Sequence, residues 1–275
     1  MRHWKKSLQI YIMTVFSGFA LIIGLTKFAI AAEKKEARVT QVIRDVRLLA
    51  SNTAPRPAAL NESVREGTAV RTGDESRAEL TFSDQTLARL GANTVFGFNE
   101  GARTYNLGSG AILMSAPRGS GAVKVMTSAA TAALTGFTAI YEFHANTWSK
   151  FIVLHGDGTI VFKNASAAPC RLHTGQMMIW APHPTRCPEV LNVDLSKLLQ
   201  GKLVKGFNRP LPELDLILAD IENQRTSPPS GGLIDPTSQD TIDQGINARP
   251  TPRPSRPSST VPPGGSAKTS TGHRP

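Results

Sequence analysis

The sequence predicts an all-β core, built as a short-strand sandwich or a solenoid, followed by a short two-helix segment and a disordered Pro-rich tail. Three observations carry this reading. Between Ala37 and Trp180 apolar residues alternate with polar ones in short runs, the period of a half-buried strand, and turn residues interrupt the runs at intervals of roughly eight to twelve. After Cys187 leucines fall instead at helical spacing. From Thr226 onward the chain holds ten of its 19 prolines and no aromatic residue.

The strand pattern is clearest at Arg77-Ala78-Glu79-Leu80-Thr81-Phe82, which puts Ala78, Leu80 and Phe82 on one face. Thr72-Gly73-Asp74-Glu75 precedes it and Ser83-Asp84-Gln85 follows, both rich in residues that bond their own backbone in turns. Similar units run Thr86–Leu90, closed by Gly91-Ala92-Asn93, then Ala111–Met114, Val123–Met126, Phe137–Phe143 and Phe151–Leu154. The last is joined to Thr159–Phe162 through Gly156-Asp157-Gly158, which reads as a hairpin turn. This places a β domain over residues 37–180.

Residues 188–225 read as the helical segment. Leu195, Leu198, Leu199 and Leu203 form one stripe with Asp194 as a cap, and Leu214, Ile217, Leu218 and Ile221 repeat it after Pro210 and Pro212. Such stripes pack on the β domain or on each other, or serve a partner. Residues 226–275 cannot bury enough apolar surface to offset their ordering entropy and read as a solvated tail of PPII character, a spacer or a proline-motif ligand.

At the other end, Met1-Arg2-His3-Trp4-Lys5-Lys6 precedes an uncharged stretch from Leu8 to Thr26 and the small residues Ala29-Ile30-Ala31-Ala32. This is the pattern of a signal peptide over residues 1–31 with cleavage near Ala31, or of an uncleaved signal anchor. Either puts the remainder in the periplasm or on the cell envelope, and six residues leave no room for a cytoplasmic domain ahead of it. The formal charge is +10, of which Arg2, Lys5, Lys6 and Lys27 supply four. The remaining cations are scattered without aromatic interleaving, which argues against nucleic acid and fits attraction to an anionic wall polymer or membrane surface.

Candidate chemistry is sparse. Gly73-Asp74-Glu75-Ser76 lacks the Gly-x-Ser-x-Gly elbow of an esterase and suits a turn. Glu75 and Glu79 on one strand face would stand about 6.8 Å apart, near the spacing of an inverting glycosidase. Arg77 between them would hold both carboxyls down, whereas a general acid needs one raised, so a solvated, charge-paired face is expected. His155 beside Asp157 fits either a hairpin or an acid–base site. Cys170 and Cys187, an even pair in an exported chain, predict a disulfide worth about 3 kcal/mol. With His173 and His183 the same cysteines also have zinc-like spacing, so a metal site is the alternative. No catalytic residue and no cofactor is assigned.

The stretch from Gly67 to Asn93 resembles the FecR domain family, the extracytoplasmic domain of ferric-citrate-type regulators. The resemblance rests on Gly67, Val70, Thr72, Gly73, Asp74, Ser76, Leu80, Phe82, Asp84, Arg89, Leu90 and Asn93. Leu107-Gly108-Ser109-Gly110-Ala111-Ile112 is similar to the family's Leu-x-x-Gly-x-Val strand, and Thr174-Gly175-Gln176 to its late turn, so the likeness runs from Ala37 to Gln176. Where the family carries Val-x-Thr-Pro and then Arg-Gly-Thr, this chain has Val125-Met126-Thr127-Ser128 and Thr135-Gly136-Phe137. The resemblance implies a stand-alone exported module without the family's anti-sigma part, recognising an envelope protein, for instance by strand addition to a sheet edge. A wall-associated structural or carbohydrate-binding protein is the alternative.

Overall fold

Alternating burial builds a sheet that folds over on itself. The computed structural model describes residues 36–99, 101–163 and 168–247. Fifteen strands among them join in one continuous sheet, antiparallel except for one pair. Its first layer runs β4 (Ser63–Arg65), β1 (Glu36–Ile43), β6 (Arg77–Phe82), β7 (Leu87–Leu90), then the second half of β9 (Thr104–Ala116), the second half of β11 (Ala130–His144), the first half of β12 (Trp148–Phe162), β14 (Gln176–Trp180) and β15 (Leu191–Asn192). The second layer runs β3 (Arg56–Pro57), β2 (Val46–Leu49), β5 (Ala69–Thr72), β8 (Val95–Asn99), the first half of β9, β10 (Val123–Met126), the first half of β11, the second half of β12 and β13 (Cys170–His173).

The three long strands belong to both layers, and each bends at a glycine: Gly110 in β9, Gly136 in β11 and Gly156 in β12. At Gly156, φ is +88° and a Cβ would stand 2.5 Å from the Gly136 carbonyl oxygen, so a side chain has neither the backbone conformation nor the space. Gly110 is held likewise, at φ +87° with Thr94 Cα 2.6 Å from where its Cβ would be. Gly136 and Gly156 lie side by side, whereas Gly110, paired with Phe143, crosses at the other end of the first layer; at Gly156 the strand β12 continues through residues 156–158. The hairpin expected at Gly156-Asp157-Gly158 is absent: a positive-φ glycine serves a bend in one strand as well as a turn between two, and here Asp157 and Gly158 stay paired to β11 and β13.

Between the layers lies an aromatic core. Phe82 of the first layer meets Phe98 and Tyr105 of the second edge-on, each at 5.0 Å between ring centres. Trp180 meets Phe162 in the same way at 5.3 Å. The first layer is buried on its outer face too, where Leu113, Ile152, Leu154 and Met177 pack against Leu195, Leu198, Ile217 and Ile221. These come from the short helix Leu195–Leu198 and the longer Leu214–Thr226, and a second short helix, Lys202–Lys205, adds the partly buried Leu203 and Val204. Asp194 caps the first of them, its carboxylate accepting from Ser196 N. Four-residue helices have no stability of their own; burial worth about 1.5–3 kcal/mol per large apolar side chain holds them down.

Order also extends beyond Thr226, where the tail was expected to begin. Ile234 bridges to Val193, and a further helix, Gln239–Asn247, buries Ile242 against the same cluster. Isolated isoleucines in a polar stretch give no composition signal, but a preformed apolar face suffices to bind them. The predicted signal segment, residues 1–31, and the Pro-rich stretch 248–275 lie outside the described residues.

Candidate functional site

Most of the signature residues from Gly67 to Asn93 gather where the chain passes between layers, from β1 to β2, from β5 to β6 and from β7 to β8, with Asp84 in the β6–β7 turn at the other end of these strands. Thr72 ends β5, and its Oγ1 donates to the Gly91 carbonyl at 2.6 Å while accepting from Thr94 N at 2.9 Å. Gly73 N donates to Asp45 O, and its own carbonyl accepts from Asn93 N. Ser76 Oγ donates to Asp74 O and accepts from Asp45 N. The Asp74 and Asp84 carboxylates accept from the backbone N–H of Glu75 and Thr86, and Asp84 also pairs with Arg103. Leu80, Phe82 and Leu90 point into the core, and Gly67 and Asn93 take positive φ at corners. The motif thus ties together three neighbouring corners where the chain changes layer. It gathers no nucleophile and base.

Glu79 and Arg89 do something the alternation does not predict. Both side chains are fully buried, and Arg89 Nε donates to Glu79 Oε2 at 3.0 Å, while Thr40 Oγ1 donates to Glu79 Oε1 at 2.8 Å. The rest of the guanidinium donates to the carbonyls of Val204 and Arg209 and lies over the Phe207 ring, 4.6 Å from its centre. Burial pushes the Arg89 pKa below the ordinary arginine range, and the Glu79 bond opposes that shift. The expected solvated face of Glu75, Arg77 and Glu79 is therefore corrected. Glu75 is exposed and pairs with Arg44, which holds its carboxyl below the usual range, whereas Glu79 belongs to a buried clamp that fastens the helical segment to the first layer. A clue was present in the sequence: an arginine inside the run Leu87-Ala88-Arg89-Leu90.

The helical segment is pinned at further polar points. Thr138 Oγ1 donates to Glu213 at 3.3 Å, and Lys150 Nζ donates to the Pro236 carbonyl at 3.3 Å. His155 Nδ1 lies 2.6 Å from Asp220 Oδ2, and its Nε2 lies 3.1 Å from Arg118 Nη2. Arginine can only donate, so Nε2 accepts and Nδ1–H donates to Asp220. Both ring nitrogens are engaged, which leaves none to take a proton from a nucleophile. Asp157 pairs instead with His173 at 2.6 Å on the exposed part of β12 and β13, so His155 and Asp157 do not share a site.

Cys170 and Cys187 are joined in a disulfide, with Cα atoms 5.6 Å apart. Both sulfurs being consumed, the Cys170, His173, His183, Cys187 zinc alternative is overturned. The bridge runs from β13 of the second layer to the loop after β14 of the first, and so joins the two layers at the end of the stack opposite Gly136 and Gly156. On this side two adjoining cavities, of about 140 and 270 Å³, share Trp180, Pro182, His183 and Pro184. Phe143, Trp148 and Phe162 line the first and Arg186, Glu189 and Ile246 the second. The Trp180 indole N–H is buried and has no hydrogen-bond acceptor among the described residues.

The second layer keeps a bare outer face. Gly97, Gly108, Thr131, Ala133 and Val161 leave it low, and Arg71, Lys124 and Arg171 stand exposed on it. No helix of the described residues is long and apolar enough to cross a membrane.

No curated protein matches the chain. Two crystal structures of a protein described as a putative anti-sigma factor from Parabacteroides distasonis ATCC 8503 are similar to it, each with a TM-score of 0.40 and 16% identity over 48% of this chain. They are matched over 65% and 64% of their own length, so the chain spans just under two thirds of them. The family model described as FecR protein matches residues 68–157, from the corner before β5 to the bend of β12, so over that stretch the chain is similar to the FecR family.

Proposed function

We propose that this protein is an exported, non-catalytic recognition module of a regulatory or signalling system, and that it binds an acidic envelope protein on the bare outer face of its second layer. The FecR domain supports the regulatory class. The observation that carries the choice of surface is the contrast between the two outer faces. The first is covered by the chain's own helices, while the second is low, exposed and studded with Arg71, Lys124 and Arg171. Small residues let a partner approach closely, and exposed cations steer an acidic one toward it. The polar residues with catalytic potential support the non-catalytic reading, because His155, Glu79 and Arg89 are all spent on fastening the helices.

The test is photocrosslinking in the native envelope with the crosslinker at Lys124 or, as a control, at Leu218 on the exposed side of the long helix. One discrete protein captured from position 124, lost when Arg71 and Arg171 are changed to Glu, is the expected result. Equal capture from both positions would refute the surface. Sedimentation with purified peptidoglycan, undiminished by the charge reversal, would instead favour a wall-associated role.

A further inference from the structure

The two layers end differently on their two sides. Beyond β13 and β14 the disulfide straps them together. On the other side the outermost strands, β3 and β4, flank a cavity of about 310 Å³, lined by Thr53 and Arg56 from around β3 and by Ser63, Arg65 and Thr68 from around β4. Of these two edges, one is blunted. Ala58 N donates to the Val46 carbonyl, so the alternation of an antiparallel pair turns Pro57, and Pro55 before it, toward the open side, and neither has an N–H to offer.

The other edge carries no such block. Val39 N donates to Glu62 O, so by the same alternation Val64 also bonds β1, while Ser63 and Arg65 turn their N–H and C=O away from it. No strand among the described residues pairs on that side. The Arg65 carbonyl is already taken by Thr68 N, and Gly67 turns the chain at φ +84°. An N–H and a C=O on Ser63 and an N–H on Arg65 are left, so an added strand can pair as far as Arg65 and no further. A parallel strand would end there, its last N–H donating to Ser63 O and its last carbonyl accepting from Arg65 N. An antiparallel one would begin there and set an amino terminus against a guanidinium. Arg56 is spent on Glu62, and Glu36, opposite Arg65, accepts from Ser63 Oγ. Arg65 itself is exposed and makes no ion pair among the described residues, which suits a carboxylate at the end of the incoming chain. Leu60, 60% exposed, stands in the turn before β4, on the side from which such a strand would come. We propose that β4 binds the free C-terminus of another protein chain, added as a short parallel strand with its carboxylate on Arg65. This site is separate from the bare face of the second layer and does not rest on it.

The experiment titrates the full chain with the peptide acetyl-Thr-Val-Thr-Val-Val, bearing a free C-terminal carboxylate, and follows the ¹⁵N–¹H signals and solvent exchange of Ser63 and Arg65. Both signals should shift and both N–H groups become protected, while those of β13 and β15 stay as they were. Converting the peptide to its amide, or changing Arg65→Gln, should weaken binding about tenfold or more, since a bond to a charged group is lost. Arg65 is exposed, and the variant's remaining signals show that it is folded. Lys124→Glu on the bare face should leave the titration unchanged, which separates the two sites. Unmoved Ser63 and Arg65 signals at millimolar peptide would overturn the proposal. Equal binding of acid and amide would overturn it too. So would protection of both N–H groups in the protein alone that grows with its concentration, which would make the occupant a second copy of this chain.

Discussion

The two outer faces of the folded sheet come from one strand set but meet opposite fates. On the first layer, the residues opposite the inner core are Leu113, Ile152, Leu154 and Met177, with Arg89, Thr138 and His155 among them, and all are buried under the C-terminal segment. On the second, the corresponding positions hold glycine, alanine, threonine and exposed cations. The difference teaches that the helices are not a separate domain. They are the missing layer of a three-layer stack, located by buried polar groups of the sheet that bond them, and the face they leave open is the one available to other molecules.

The largest test of this contrast is Arg89→Ala. It strands Glu79 and three elements of the clamp, and breaking a buried pair costs about 3–5 kcal/mol. Denaturant unfolding should show that loss, and hydrogen exchange should show the segment 195–226 released first. A cost no greater than that of a bare-face substitution would erase the distinction between the faces. Next comes Cys187→Ser, which removes the strap between the layers and should cost about 2–5 kcal/mol in the unreduced protein, with no effect once the parent is reduced. Gly156→Ala sets a methyl group against the Gly136 carbonyl at the bend common to both layers; about 1–3 kcal/mol is expected, read from the thermal midpoint.

Smaller effects belong to the exposed surface. Lys124→Ala should change stability by no more than about 0.5 kcal/mol, whatever it does to partner capture. The Arg44–Glu75 pair gives the least. Its carboxyl is depressed, first by the Arg44 hydrogen bond, so its contribution is present above the ordinary carboxylate range and is lost as pH falls through the lowered folded-state value. Comparing acid titrations of the parent and Arg44→Ala at low and high salt checks the sign, with any difference vanishing at high salt.

How far these features could be read in advance depended on whether the signal was local. The inward set Ala78, Leu80 and Phe82 is fixed by a period of two, and all three are buried. The same period says only that Glu79 points the other way, and whether that side is wet depends on residues 203–209, more than a hundred positions later. Gly156-Asp157-Gly158 has the composition of a turn, yet positive φ is equally what a bend needs, and only the pairing of Asp157 with His173 separates the two. Trp180 gave no sign of its orphan donor, because that follows from what failed to pack beside it.

By itself, then, the sequence determined the all-β class, the family signature, the pairing of the two cysteines and the apolar stripes of the helices, since each is written in neighbouring residues or in simple counts. Tertiary structure alone decided that the three long strands each cross between layers at a glycine, that a glutamate and an arginine leave water to hold a helical layer, and which face stays bare. Those outcomes turn on contacts between distant segments, where burial and partner, rather than residue type, set the energy of a side chain.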